Sequence, residues 1–272
     1  MYYGLYGGEP VPGRDPAYRP LSALLRVIAV ARAADPDCCW FYERLGGQGC
    51  GGIGLWLNSV ADAQQRSAER LRAESARRNL ELTVECADRQ VSYPAPGGRD
   101  ARDELSAVSS DFALDTLTGR LPGPAPFDLA VKHMRGIASL VGEAERLPFL
   151  FQCWYHWSAA LTSRVRVGCG MAARLRDDSV PQDTAPMAGA SGWRDYLRAV
   201  SRTISAVPAA SGAPANYLLF DHAHRTHRRL GVSLETEVLA VQVVRAEHAA
   251  GRSARGQDAV PRAGAVPLLD PT

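Results

Sequence analysis

Tyr217, Asp221, His224 and Arg228 follow one another at spacings of four, three and four residues. In a helix, at about 100° per residue, they fall on one narrow stripe. A phenol, a carboxylate, an imidazole and a guanidinium in that row can move and steer protons. Tyr217 reads as a general acid or hydrogen-bond donor, Asp221 as its orienting or proton-accepting partner, and His224 as a second proton shuttle; groups this close tune one another's acidity. Arg228 would hold substrate. Leu219, Ala223 and Leu230 face away, with Phe220 at the border, so a helix from Ala213 to Leu230 would pack on one side and present chemistry on the other. Ser211, just before it, could cap the helix or reach into the same cleft, and Pro214 suits a first turn. The same stripe also describes an ordinary solvated helix face.

Other groups compete for attention. His222, His224 and His227 put three imidazoles close in sequence, but these positions scatter around a helix, whereas a helical metal pair needs ligands that converge. A metal site is not expected. Trp154-Tyr155-His156-Trp157 could form a stacking wall, with Tyr155 and His156 as substrate contacts, or could be core. Glu104 and the pair Ser109-Ser110 precede an apolar run; Ser110 is a candidate substrate contact and equally a helix-packing residue. The run Gly46 to Gly52 is no phosphate loop, since no Gly-Lys-Ser/Thr follows it and the next element reads as a strand. No dinucleotide or phosphate-loop pattern appears, so a small-molecule oxidoreductase or kinase is not expected.

The elements that must carry these residues come in a definite order. Leu21 to Ala34 has helical periodicity and stops at Asp35-Pro36. Cys38 to Leu45 and Ile53 to Leu57 read as two strands joined through the glycine run, Asn58-Ser59 as the cap of a charged helix reaching about Asn79, and Leu80 to Arg89 as a third strand. Beyond Asp103 the pattern is helical, in segments near 103–119, 127–144, 147–175, 192–206 and 214–249. Strands first and helices later predict an α+β class, a small and mainly antiparallel sheet packed on a larger helical set. One domain over residues 1–250 is expected, with Gly251 to Thr272 as a disordered tail.

Composition excludes several classes. The net charge of +2 over 272 residues gives no global field for nucleic acid. The apolar run near Leu147 to Trp157 is too short for a bilayer, and the opening residues lack a secretory pattern, so the expected place is the cytoplasm. Lys132 is the sole lysine among 31 basic residues, a bias that points to a GC-rich, actinomycete-like genome. Arg66, Arg70, Arg72, Arg77 and Arg78 make one helix basic, as solvated charge or a surface for an acidic peptide segment. The six cysteines show no Cys-x-x-Cys spacing and read as buried or partly buried thiols.

Three segments, in order, resemble the thiopeptide-type bacteriocin biosynthesis proteins, a family that includes the glutamate-elimination domains of lantibiotic dehydratases. They are Trp40-Phe41-Tyr42-Glu43-Arg44 before a glycine turn, Glu104 to Leu114 with its Ser-Ser, and His224-Arg225-Thr226-His227-Arg228-Arg229-Leu230-Gly231 with Glu237 beyond. Elimination domains carry arginines on the second strand; here Cys50 to Leu57 has none, and a site expelling a glutamate carboxylate would want such a cation. The resemblance therefore implies the standalone pyridine synthase branch. That implies a cofactor-free enzyme joining two dehydroalanines of a dehydrated, azole-bearing precursor peptide, then expelling water and the leader. A split glutamate-elimination subunit and a non-catalytic leader-binding scaffold are the alternatives.

Overall fold

The computed structural model describes residues 2–7, 17–45, 51–85, 101–118, 125–176, 190–207 and 214–258. Its sheet joins β1 (Tyr2–Tyr6), β2 (Cys39–Leu45), β3 (Gly52–Asn58) and β4 (Glu81–Glu85) in the order β2-β3-β1-β4, with every neighbouring pair antiparallel. Period-two alternation sends Tyr3, Leu5, Trp40, Tyr42, Ile53, Leu55 and Leu57 into the core. There they meet Leu21, Leu24, Val27 and Ile28 of α1 (Tyr18–Ala34). On the other face Tyr2 and Phe41 lie against Trp56, at ring-centroid distances of 4.8 and 6.0 Å.

The strand β1, which periodicity did not reveal, lies in the interior of the sheet. Gly4 and Gly54 face each other across β1 and β3, and a side chain on Gly54 would meet the Tyr2 ring. These glycines leave room for the aromatic residues, and in the short β1 Gly4 interrupts the alternation that marks a strand. The helix α2 (Ala61–Arg78) begins later than its sequence suggests. Ser59 does not cap it; its hydroxyl donates to Asp35, which also accepts the Val60 amide, at 2.7 and 3.0 Å. At its far end Asn79 adopts the left-handed conformation with φ 54°.

The helical set comprises α3 (Ala101–Thr118), α4 (Pro126–Ser139), α5 (Arg146–Ser158), α6 (Ser163–Arg176), α7 (Ala190–Ala206), α8 (Ala215–Leu230) and α9 (Leu234–Asp258). The fold is α+β, as expected. Two long helical segments are each broken in two. Residues 147–175 divide around 159–162, and 214–249 divide at Gly231. Gly231 is left-handed, with φ 75°, and its amide donates to the Arg228 carbonyl while the Val232 amide donates to that of His227, at 3.1 and 2.9 Å. This Schellman closure ends α8. Ser233 then caps α9, accepting the Thr236 amide at 3.2 Å.

The helix α9 packs on α4, α5 and α6, while α8 lies chiefly on α3. Cys153 and Cys169 are buried, and Cys38 and Cys39 half-buried; Cys50 and Cys86 lie outside the described residues. The expected tail from Gly251 also lies outside them, except that α9 continues to Asp258. No described helix is long and apolar enough to cross a membrane.

Candidate active site

Because the chain turns at Gly231, Glu237 in the first turn of α9 comes to rest between two histidines of α8. Its carboxylate accepts from His224 Nδ1 at 2.8 Å and from His227 Nδ1 at 2.9 Å. The Glu237 side chain is only 2% exposed. Burial works to raise its pKa, but the two imidazole hydrogen bonds outweigh burial and hold it below the ordinary carboxylate value. The α9 N-terminus also favours negative charge.

His224 is the half-open member of this cluster, with its side chain 32% exposed. The Nδ1 bond to Glu237 fixes the ring so that, in the neutral tautomer, Nδ1 carries the proton and Nε2 keeps its lone pair. Trp157 stacks on the ring at 5.7 Å. A carboxylate behind an imidazole can hold that ring in position to act as a general base.

Around it α5 and α8 present aromatic surface. Phe151 stacks on Tyr155 at 6.1 Å, and Tyr155 meets His156 edge-on at 5.4 Å. His156 contacts Phe220 at 5.6 Å, and Phe220 contacts Tyr217 at 6.3 Å. Phe151, Tyr155, His156 and Tyr217 are exposed. Tyr217 and His224 are two helical turns apart, roughly 10 Å along the axis. Four sequence-predicted residues, Tyr217, His224, Tyr155 and His156, thus line one aromatic wall.

Other candidates take different places. Asp221 does not orient Tyr217. Its carboxylate accepts from Arg102 at 3.1 Å and from Arg225 at 3.0 Å, and Arg225 also binds Glu43 at 2.8 Å. Two guanidiniums bind Asp221 more strongly than a neutral phenol would. Ser110 is fully buried and its hydroxyl accepts the Tyr42 amide at 3.0 Å, so it bolts α3 to β2 and cannot touch a substrate. Arg228 is exposed on α8, and Ser211 lies outside the described residues.

Sequence reasoning passed over the buried polar side of α8. Arg229 is 1% exposed; its Nε donates to the Tyr42 carbonyl at 2.7 Å and one terminal nitrogen to Ser109 at 3.0 Å. Burial pushes its pKa down to about 10, which leaves it charged at neutral pH. His227 reaches His133 at 3.0 Å, His133 reaches the Tyr196 hydroxyl at 2.8 Å, and Tyr196 reaches His222 at 2.8 Å. Among the described residues no group of His, Cys, Asp and Glu converges as metal ligands would. The signal was present as histidines at packing positions, but the partners come from α4 and α7, far away in sequence.

The chain has a thiopeptide pyridine synthase-like fold. One solved structure it is similar to is TbtD, the pyridine synthase from thiomuracin biosynthesis. The similarity has a TM-score of 0.67 and covers 93% of this chain and 99% of that one, at 11% sequence identity. No family model matches the sequence, and no curated protein matches it.

Proposed function

We propose that the chain is a pyridine-forming cyclase of thiopeptide biosynthesis, working in the cytoplasm on a dehydrated, azole-bearing precursor peptide and needing no cofactor. The observation that carries this reading is the His224–Glu237 pair opening beside an aromatic wall, in a fold shared with a pyridine synthase.

The chemistry follows from what these residues can do. One dehydroalanine and the amide before it must become an azadiene. His224 Nε2 takes the amide N–H proton while Tyr217 donates to the carbonyl oxygen, giving the hydroxyl-bearing tautomer without net charge. The four-atom azadiene then adds across the second dehydroalanine, forming two bonds and closing the ring. Loss of water, and of the leader as a carboxamide, makes the ring aromatic. Azole rings stacked on Tyr155, His156 and Phe220 would hold the two alkenes in one near-attack geometry, the larger part of the acceleration. Arg228 stands at the end of the same stripe as a peptide contact.

The test is mass spectrometry of such a peptide incubated with the purified protein and no additive. A macrocycle together with an intact leader amide is the expected result. Binding without any change in mass would favour the scaffold alternative, and loss of glutamate from a glutamylated precursor would favour the elimination alternative.

A further inference from the structure

The buried chain behind Glu237 has more places for protons than its neutral groups can fill. Its hydrogen bonds run His224–Glu237, Glu237–His227, His227–His133, His133–Tyr196 and Tyr196–His222. At the far end the Leu105 backbone carbonyl bonds the His222 ring, making six links along the chain, while Thr226 bonds the Tyr196 oxygen from the side with its own hydroxyl proton. An ionised Glu237 supplies no proton, and four neutral imidazoles and one phenol bring one each, so the chain is one proton short. Withholding it would leave a buried nitrogen lone pair facing an acceptor. Charge makes a separate demand for the same proton: a carboxylate as buried as Glu237 needs a positive partner.

Resting on the reading of His224 as the base, we infer that this extra proton resides on His227, as a buried imidazolium paired with Glu237, and so leaves His224 neutral for catalysis. A proton at His227 satisfies both of its ring nitrogens, Nδ1 donating to Glu237 and Nε2 to His133. The donors then run in one direction: His133 Nε2 to the Tyr196 oxygen, Tyr196 hydroxyl to His222 Nε2, and His222 Nδ1 to the Leu105 carbonyl. A proton on His224 instead would balance Glu237 but leave the interior short. It would also occupy the one nitrogen open to substrate.

Among the described residues, the pair is faced by His133 from α4, the Cys153 thiol from α5 and His224 from α8; Tyr196 of α7 and Arg229 of α8 act one link further on, at His133 and His222. Burial, followed by the neighbouring His227 and His222, keeps His133 well below the ordinary imidazole range, so it does not compete for the charge. Burial, and then Arg229, brings His222 down to about 3, and burial pushes the Tyr196 hydroxyl up. His133, Tyr196 and His222 are therefore positioning residues, and none of them touches substrate.

Long-range proton–nitrogen NMR of the full chain near neutral pH reads each histidine's protonation without any substrate. The expected spectrum has both ring nitrogens of His227 protonated, with His224 carrying a proton on Nδ1 only. A doubly protonated His224 beside a singly protonated His227, or four singly protonated rings, would overturn the inference. Tyr196→Phe keeps the ring but removes the relay oxygen. There the second proton should move from His227 to His224, pyridine formation near neutral pH should fall about tenfold, and the acid limb of the rate profile should move to higher pH. A folded Tyr196→Phe protein with an unchanged pH profile would also overturn it. A peptide that is never cyclised sinks the proposed function and leaves the proton count standing; a neutral His227 sinks only the proton count.

Discussion

Two polar clusters lie on α8 within one turn of each other, and they differ in what they leave open. Around Asp221, two arginines and Glu43 satisfy one another. Charge there meets charge, and the cluster serves as a clasp between α3, α8 and β2. Around His224 one ring nitrogen is held by Glu237 while the side chain stays about one-third exposed. The sequence stripe makes Asp221 and His224 look equivalent, but partnership separates them: a polar atom that neighbouring groups have already matched is structure, and one held in place with a nitrogen left over can react.

This contrast predicts unequal effects. His224→Ala should lower pyridine formation on the order of a thousandfold in the mass-spectrometric assay, with a thermal transition close to that of the parent. Substantial activity in a folded His224→Ala protein would erase the distinction. Arg229→Ala, on the buried side, should instead cost about 3–4 kcal/mol in urea unfolding, because it empties a packed site and removes the guanidinium's bonds to the Tyr42 carbonyl and Ser109. Tyr217→Phe should lower the rate by about a hundredfold while leaving peptide affinity intact; a change in affinity alone would make Tyr217 part of the wall.

Acid should weaken the buried side by a smaller amount. The unfolded chain protonates His222 near the ordinary 6.5, while the folded chain holds it unprotonated down to about 3. Stability is therefore full above pH 6.5 and is lost as pH falls through that value, by on the order of 2 kcal/mol at about pH 5 from this residue. His133 acts in the same direction. Urea midpoints across that range would show the slope, and His222→Asn should flatten it. Asp221→Asn should have the smallest effect, under about 1 kcal/mol in stability and little in rate, since partly exposed ion pairs contribute modestly. A large loss of rate would return Asp221 to the chemistry.

Much of this architecture is legible in the residues themselves. The alternation in β2 and β3, the helical periods after Asp103, and the stripe holding Tyr217 and His224 are all local signals. The rest is not local. Strand β1 hides because it is only five residues long and Gly4 at its centre carries no side chain to mark a face. Glu237 could be seen to follow the histidines, but its place beside them depends on a turn made by Gly231. The buried histidines read as scattered because hydrophobic patterning has no term for a polar group matched by a partner on another helix. Ser109 and Ser110 carry the family-like pattern, and the structure spends both on joining α3 to α8 and β2.

The turn at Gly231 bears on how the site comes into being. His224 and Glu237 are 13 positions apart and His227 and Glu237 only 10, so the proposed base and its support are joined by one short connection between α8 and α9. Contacts of such short range form early and reopen locally. His133, on α4, lies 94 positions from its partner His227 and can join only once the distant helices have docked. Hydrogen exchange should therefore find the α8–α9 turn protected before the helices around it, so that the proposed catalytic pair is assembled first and acquires its surroundings afterwards.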